Sequence, residues 1–199
     1  MGLDRERGLW LIDAGYLFSS QGGVEPGYQF DYRKLRDFIE LDGPIWRAYY
    51  LNSTPHPPTD AQSGFHTWLR SAPPNGPKII TQLYELKTVR ADRGYCDGCG
   101  SIQHLRCPNE ATSQSHRLTR EQQKGVDVGL ATLALTLSTE YDSLILSSGD
   151  GDLLDAVEYL SQRGKNLELV VFKTGVSTEL QSRADRIYWI DDFKEMVRR

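Results

Sequence analysis

A chain of 199 residues that is 39% hydrophobic and 25% charged has the composition of a soluble globular protein and the size of one domain with a substantial core. No apolar run reaches membrane-spanning length, and Met1–Arg7 lacks the apolar segment of a secretory signal, so a cytoplasmic protein with no membrane partner is expected. The net charge of −4 argues against a general nucleic-acid coating protein, but residues 87–124 hold seven basic side chains against four acidic ones. That segment carries +3 and the remainder −7, an arrangement suited to handling a polyanion beside an acidic site.

In chain order, Leu9–Ile12 is a short apolar run that predicts a buried first strand ending at Asp13. Residues 13–18 make the turn after it. A carboxylate at the tip of a central strand is costly to desolvate without a partner, which points to a site more than to packing. A loop over 21–27 leads to a helix capped by Asp31, with Leu35, Phe38 and Ile39 at helical spacing and Gly43-Pro44 ending it. Ile45–Leu51 predicts a second strand rich in aromatic residues, and its Tyr49 and Tyr50 read as exposed rings that permit a homodimer. Residues 60–71 predict a helix with Phe65, Trp68 and Leu69 on one face. Lys78–Val89 predicts a long third strand whose far end is half exposed. His56 and His66 have no partner pattern and read as surface or packing residues.

Residues 91–117 have no periodicity and predict an inserted arm with little secondary structure. All three cysteines lie there, and an odd number argues against a disulfide framework. Cys96-x2-Cys99-x4-His104-x2-Cys107 offers three thiolates and an imidazole, the set a tetrahedral structural zinc ion takes, with His116 as the alternative to His104.

Leu118–Leu137 predicts a helix capped by Thr119, with Glu121 or Gln122 near the capping-box position and a stripe of Val126, Leu130, Leu133, Ala134 and Leu137. Ser143–Ser148 predicts a fourth strand and Asp152–Arg163 a helix closed by Gly164. A fifth strand over 167–172, a short helix over 178–184, an edge strand over 186–190 and a last helix over 191–199 complete the chain.

Strands alternating with helices predict an α/β fold, a mainly parallel sheet with helices on both faces, as a single domain over 1–199 interrupted by the arm. Ser147-Ser148-Gly149-Asp150-Gly151-Asp152 reads as strand, tight turn and helix start. Asp152 taken alone serves equally well as a cap. If the first and fourth strands are neighbours where the strand order reverses, Asp13, Asp150 and Asp152 converge there, and Asp127 joins them from the helix leading into strand four. Four such carboxylates repel one another unless a divalent cation neutralises them. Magnesium or manganese suits oxygen ligands and can activate a water against a phosphodiester. Lys124, one turn before Asp127, is placed to pair a phosphate oxygen or quiet the cluster. Ser148 is placed to bond a carboxylate, a substrate or nearby backbone, and Arg120 and Lys87 belong to the basic segment that would position substrate.

Three motifs in order, Leu11-Ile12-Asp13-Ala14-Gly15-Tyr16-Leu17-Phe18, Lys124-Gly125-Val126-Asp127-Val128-Gly129-Leu130-Ala131 and Ser148-Gly149-Asp150-Gly151-Asp152-Leu153, resemble the NYN domain of the PIN-like nucleases, in its LabA-like branch. The resemblance spans nearly the whole chain apart from the arm. It implies a Rossmann-like PIN fold, a magnesium- or manganese-dependent site of Asp13, Asp127, Asp150 and Asp152, and single-stranded RNA as substrate of an endoribonuclease. Two positions depart from the family pattern: Tyr16 stands where Asn is common, and Leu133 where the helix often carries a second Asp. The alternative they raise is a degenerate module that binds RNA or a nucleotide without cleaving it. A third class, a flavodoxin-like or receiver domain phosphorylated at Asp13 or Asp150, has only Lys173 as its switch lysine.

Overall fold

The computed structural model describes residues 5–107 and 118–199. Six strands form the main sheet: β1 (Gly8–Asp13), β2 (Ile45–Thr54), β3 (Ile80–Glu85), β8 (Ser143–Ser147), β9 (Asn166–Val171) and β10 (Arg186–Trp189). Their order across the sheet is β10-β9-β8-β1-β2-β3, and every pairing is parallel. The strand order therefore reverses between β1 and β8, which are hydrogen-bonded neighbours from Gly8↔Ser143 to Ile12↔Ser147. In a sheet of this order, ligands bind beyond the carboxyl ends of the strands at that reversal.

The pleat sends alternate side chains of β1 to opposite faces. Trp10 and Ile12 enter one buried cluster, with Leu17 of α1 (Ala14–Ser20), Leu35 and Ile39 of α2 (Tyr32–Ile39), Leu69 of α3 (Asp60–Arg70) and Val197 of α7 (Lys194–Val197). Leu9 and Leu11 enter the other, with Val126, Leu130 and Ala134 of α4 (Val126–Thr136), Val157 and Leu160 of α5 (Leu154–Ser161) and Leu180 of α6 (Thr178–Arg183). Burying each large aliphatic side chain contributes about 1.5–3 kcal/mol, so β1, buried on both faces throughout, anchors the sheet. Among the described residues no helix is long and apolar enough to cross a membrane.

Several expectations hold at the level of local chemistry. Asp31 caps α2 by accepting from the amides of Arg33 and Lys34 at 2.7 and 3.2 Å, and Gly164 ends the segment after α5 with φ +75°. The helix expected over 60–71 forms as α3, and the structure adds a capping box of Thr59 and Gln62 at its start.

Others are corrected. Residues 14–20 form a helix rather than a turn, because Asp13 caps it through the Tyr16 amide at 3.1 Å. The long third strand breaks at Leu86: β3 stays in the main sheet, while β4 (Lys87–Arg90) leaves to pair antiparallel with β7 (Thr119–Gln122). The predicted helix over 118–137 therefore begins only at Val126, where its apolar stripe begins. Thr119 is a strand residue, and Gly125 is the N-cap with φ +89°, a left-handed backbone that favours glycine. The arm holds a hairpin, β5 (Arg93–Cys96) with β6 (Ser101–His104). Asp152 is not the cap of the helix after β8. Asp150 takes that part, accepting the Asp152 amide at 2.9 Å. Tyr49 and Tyr50 are buried, so they present no surface for a second copy.

The zinc arrangement is not assembled. Among the described residues no three His, Cys, Asp or Glu side chains group to hold a metal ion, and the cysteines form no disulfide there. The hairpin register gives a reason: Cys96 faces Ser101 near the turn, whereas His104 faces Arg93 at the open end. Side chains alternate along a strand, so this register also puts Cys96 and His104 on opposite faces of the hairpin. Cys99 instead lies 3.0 Å from the Ser101 hydroxyl and accepts from the Gln103 amide at 3.5 Å, contacts that pull its thiol down to about 7. His116 falls outside the described residues.

Candidate functional site

The reversal point places a first carboxylate at the end of β1. Asp13 is 8% exposed, accepts from the Tyr16 amide through Oδ1, and accepts the Ser148 hydroxyl through Oδ2 at 3.2 Å. The same Ser148 Oγ accepts the Asp150 amide at 3.3 Å, so one buried hydroxyl ties the tip of β1 to the turn after β8. Ser148 is 0% exposed and, of the partners the sequence left open, it takes a carboxylate and nearby backbone rather than facing solvent. It positions two aspartates instead.

Asp127 reaches the same place from the first turn of α4. Asp13, Asp127 and Asp150 line one cleft of about 400 Å³, together with Gly15, Tyr16, Gln123, Gly149 and Gly175. Asp152 is exposed and lies outside that lining, although its charge acts on Asp127. Burial pushes the Asp13 carboxyl above the usual carboxylate range, its hydrogen bonds pull it back, and the Asp127 charge raises it further. Burial and the neighbouring charges of Asp150 and Asp152 raise Asp127 in the same way. Among the described residues, none of these four carboxylates is paired with a lysine or arginine.

The floor of the cleft is built by close approach. A Cβ on Gly149 would sit 1.8 Å from the Gly175 carbonyl and 2.7 Å from the Tyr16 ring, so only glycine lets the β8 turn pass there. Tyr16 donates its hydroxyl to the carbonyls of Phe172 and Thr174 at 3.1 and 3.3 Å, which makes it a structural wall. Burial raises its phenol well above the ordinary range. Leu133 is half-buried and packed into the core beneath α4, away from the cleft lining.

Gln123 is the lining residue that the sequence did not reveal. Its amide oxygen lies 3.1 Å from where a Cβ on Gly15 would be, beside Asp13 Oδ1. Its position just before Lys124-Gly125-Val126-Asp127 was the only signal, and a helix predicted there hid it. Lys124 is exposed and does not line the cleft. Lys87 and Arg120 stand exposed on the β4–β7 ribbon, opposite Gln122 and Val89, and that register puts both on one face of the ribbon. The ribbon ends one residue before Gln123, so its basic face leads into the acidic cleft. Lys173 pairs with Asp192 at 2.5 Å, which leaves it no switch role at the cleft.

The family model described as NYN domain matches residues 9–191. No curated protein matches the chain. A Vibrio parahaemolyticus protein of unknown function, VPA0982, has a similar structure, with a TM-score of 0.65 and 19% identity over 100% of this chain and 99% of its own. A Sir2–p53 peptide–NAD+ structure covers 96% of this chain and 92% of its own at 13% identity, with a TM-score of 0.41. At these identities the Vibrio structure supports the fold alone.

Proposed function

Because the chain belongs to the NYN-domain family, whose members are generally PIN-like nucleases, we propose that it is a magnesium- or manganese-dependent ribonuclease of the LabA-like branch cutting single-stranded RNA endonucleolytically. The observation that carries this reading is the unpaired acidic cleft at the strand-order reversal: Asp13, Asp127 and Asp150 line one space, and no base neutralises them among the described residues.

The donor set fits a hard divalent cation. All three are oxygen ligands, and the burial and like-charge repulsion that raise Asp13 and Asp127 are what a cation offsets. They are not drawn together into a closed metal cage. Magnesium needs none, since it keeps several waters and binds through one or two carboxylates plus substrate phosphate. When bound, such an ion supplies positive charge against the phosphate oxygens and an acidified water as nucleophile.

The protein's own residues do the rest. Ser148 and the Tyr16 amide fix Asp13 in orientation, and the turn that Asp150 caps fixes Asp150. Gln123 brings an amide to the cleft beside Asp13, on the side where Tyr16 supplies none. Lys87 and Arg120, with Lys124, hold the RNA backbone on the ribbon, and Asp152 adds charge at the rim.

Asp13→Asn and Asp150→Asn are expected to abolish cleavage of single-stranded RNA in manganese while circular dichroism stays unchanged. Pure wild-type protein that cuts no RNA in any divalent metal would overturn the reading. The second reading, binding without turnover, rests on Tyr16, whose ring closes the cleft wall where an amide is common. RNA titrations with and without magnesium separate the two, because the degenerate module binds and releases its RNA intact.

A further inference from the structure

A second and larger cavity, about 800 Å³, opens on the other side of Gly15 from the acidic cleft; Gly15 lines both. Its floor is the small start of α1, and its wall is aromatic: Tyr32, Tyr50, Phe65 and Trp68. The rings support one another, with Tyr32 and Phe65 each near-perpendicular to Tyr50 at 5.7 and 5.9 Å, and Trp68 stacked on Phe65 at 5.8 Å. Phe18, one turn along α1 from Ala14, stands 77% exposed at the rim, where it contributes little to the core. Large apolar side chains left in water beside a concave, ring-lined space mark a binding surface.

Polar groups are set among these rings. Asn52 donates to the Tyr50 hydroxyl at 3.2 Å, which leaves that hydroxyl's own proton and the Asn52 carbonyl to be used. His66 lines the same space, and burial holds its imidazole below the usual range, so it enters as a neutral donor–acceptor. Among the described residues its lining holds no lysine, one arginine, Arg199, and one acid, Asp31, whose carboxylate is engaged in capping α2. The lining therefore selects a flat, uncharged, hydrogen-bonding ring system, and a nucleobase is that. Adjacency to the acidic cleft is electrostatic as well as spatial, because the Asp13 charge acts on the phenols of both Tyr32 and Tyr50.

We infer that this cavity receives one unpaired base of a single-stranded RNA, belonging to the nucleotide next to the phosphate in the acidic cleft. The inference rests on the nuclease reading for the identity of that phosphate. Stacking on Phe18 and the Phe65–Trp68 wall tolerates any base, while Tyr50, Asn52 and His66 grade the choice by hydrogen bonding. A base inside a duplex cannot enter without unpairing, so the cavity is a physical reason for preferring single strands.

The test uses the full chain in two arms. In the first, tryptophan fluorescence follows titration with adenosine monophosphate in EDTA, with ribose 5-phosphate as the baseless control. Saturable quenching is expected with the nucleotide alone. It should vanish in Trp68→Phe, which keeps a ring but removes the reporter, and weaken roughly tenfold or more in Phe18→Ala, the scale of losing one base–aromatic stack. Phe18 is exposed, so that variant folds, and Asp150→Asn should still bind. Equal response to ribose 5-phosphate, or no change in Phe18→Ala, would overturn the inference. In the second arm, an abasic site is walked along a cleaved oligonucleotide. One position adjacent to the cut should raise KM with little change in kcat. A flat scan with metal-dependent cleavage intact defeats the base cavity and spares the nuclease reading. Base-dependent quenching without any cleavage does the reverse.

Discussion

The two ends of the sheet handle buried charge in opposite ways. At the amino-terminal end of the strands, Arg5 and Glu168 form an ion pair at 2.7 Å with both side chains at most 1% exposed, and Arg5 also donates to the carbonyls of Ile39 and Gly43 at 2.6 Å each. Tyr188 adds a hydroxyl to Glu168 at 3.2 Å. Even so, burial holds the Glu168 carboxyl above its ordinary value. At the carboxyl-terminal end, Asp13, Asp127 and Asp150 share a cleft with no base among the described residues. The first arrangement matches charge with countercharge and serves the fold, although Arg5 Nε and Glu168 Oε1 are left without a hydrogen-bond partner. The second is incomplete, and incompleteness at a strand-order reversal is what marks a site.

The largest effect on stability should come from breaking the paired end. Arg5→Ala leaves Glu168 buried without its countercharge and is expected to cost about 3–5 kcal/mol in urea unfolding. Asp127→Asn, at the open end, should cost nothing measurable in metal-free buffer. Equal losses at the two ends would erase the contrast.

Next in size is the response to metal. A cation that binds only the folded protein adds about 2.7 kcal/mol at a hundred times its Kd, which for a chain of this length is roughly 5–10 °C in Tm. Manganese should raise the wild-type Tm by that order and leave Asp13→Asn nearly unmoved in the same thermal scan.

A smaller effect is the pH dependence. Burial and neighbouring carboxylates raise Asp13 and Asp127 in the folded chain above the ordinary aspartate value of about 3.9, so the folded chain holds more protons than the unfolded one between those values. Metal-free stability should therefore fall as pH rises from about 3.9 through the raised values, and Asp127→Asn should flatten that fall. Glu168 titrates in the same sense and is untouched by that variant, so the difference between the two curves isolates the cleft.

The smallest is Tyr16→Phe, which removes the hydroxyl bonds to Phe172 and Thr174 while keeping the ring against Gly149. A loss of about 1 kcal/mol with cleavage retained is expected if Tyr16 is a wall and not a participant. Lost cleavage at full stability would assign it a chemical part.

What the amino-acid order settled was local. The apolar run 9–12 made a buried strand and Asp31 a cap, while glycine at 164 marked a helix end, because short-range sterics and hydrogen bonds decide these. Once strands alternated with helices, Asp13 and Asp150 had to fall at strand tips. Tertiary structure alone decided the pairing. Residues 119–122 became a strand because 87–90 were there to bond with, and Gln123 reached the cleft as a consequence. His104 was carried away from the cysteine turn by the hairpin register, and Arg5 found Glu168 across 163 residues. Those outcomes depend on which backbone and which charge lie nearby once the chain has closed, and no window of sequence contains that information.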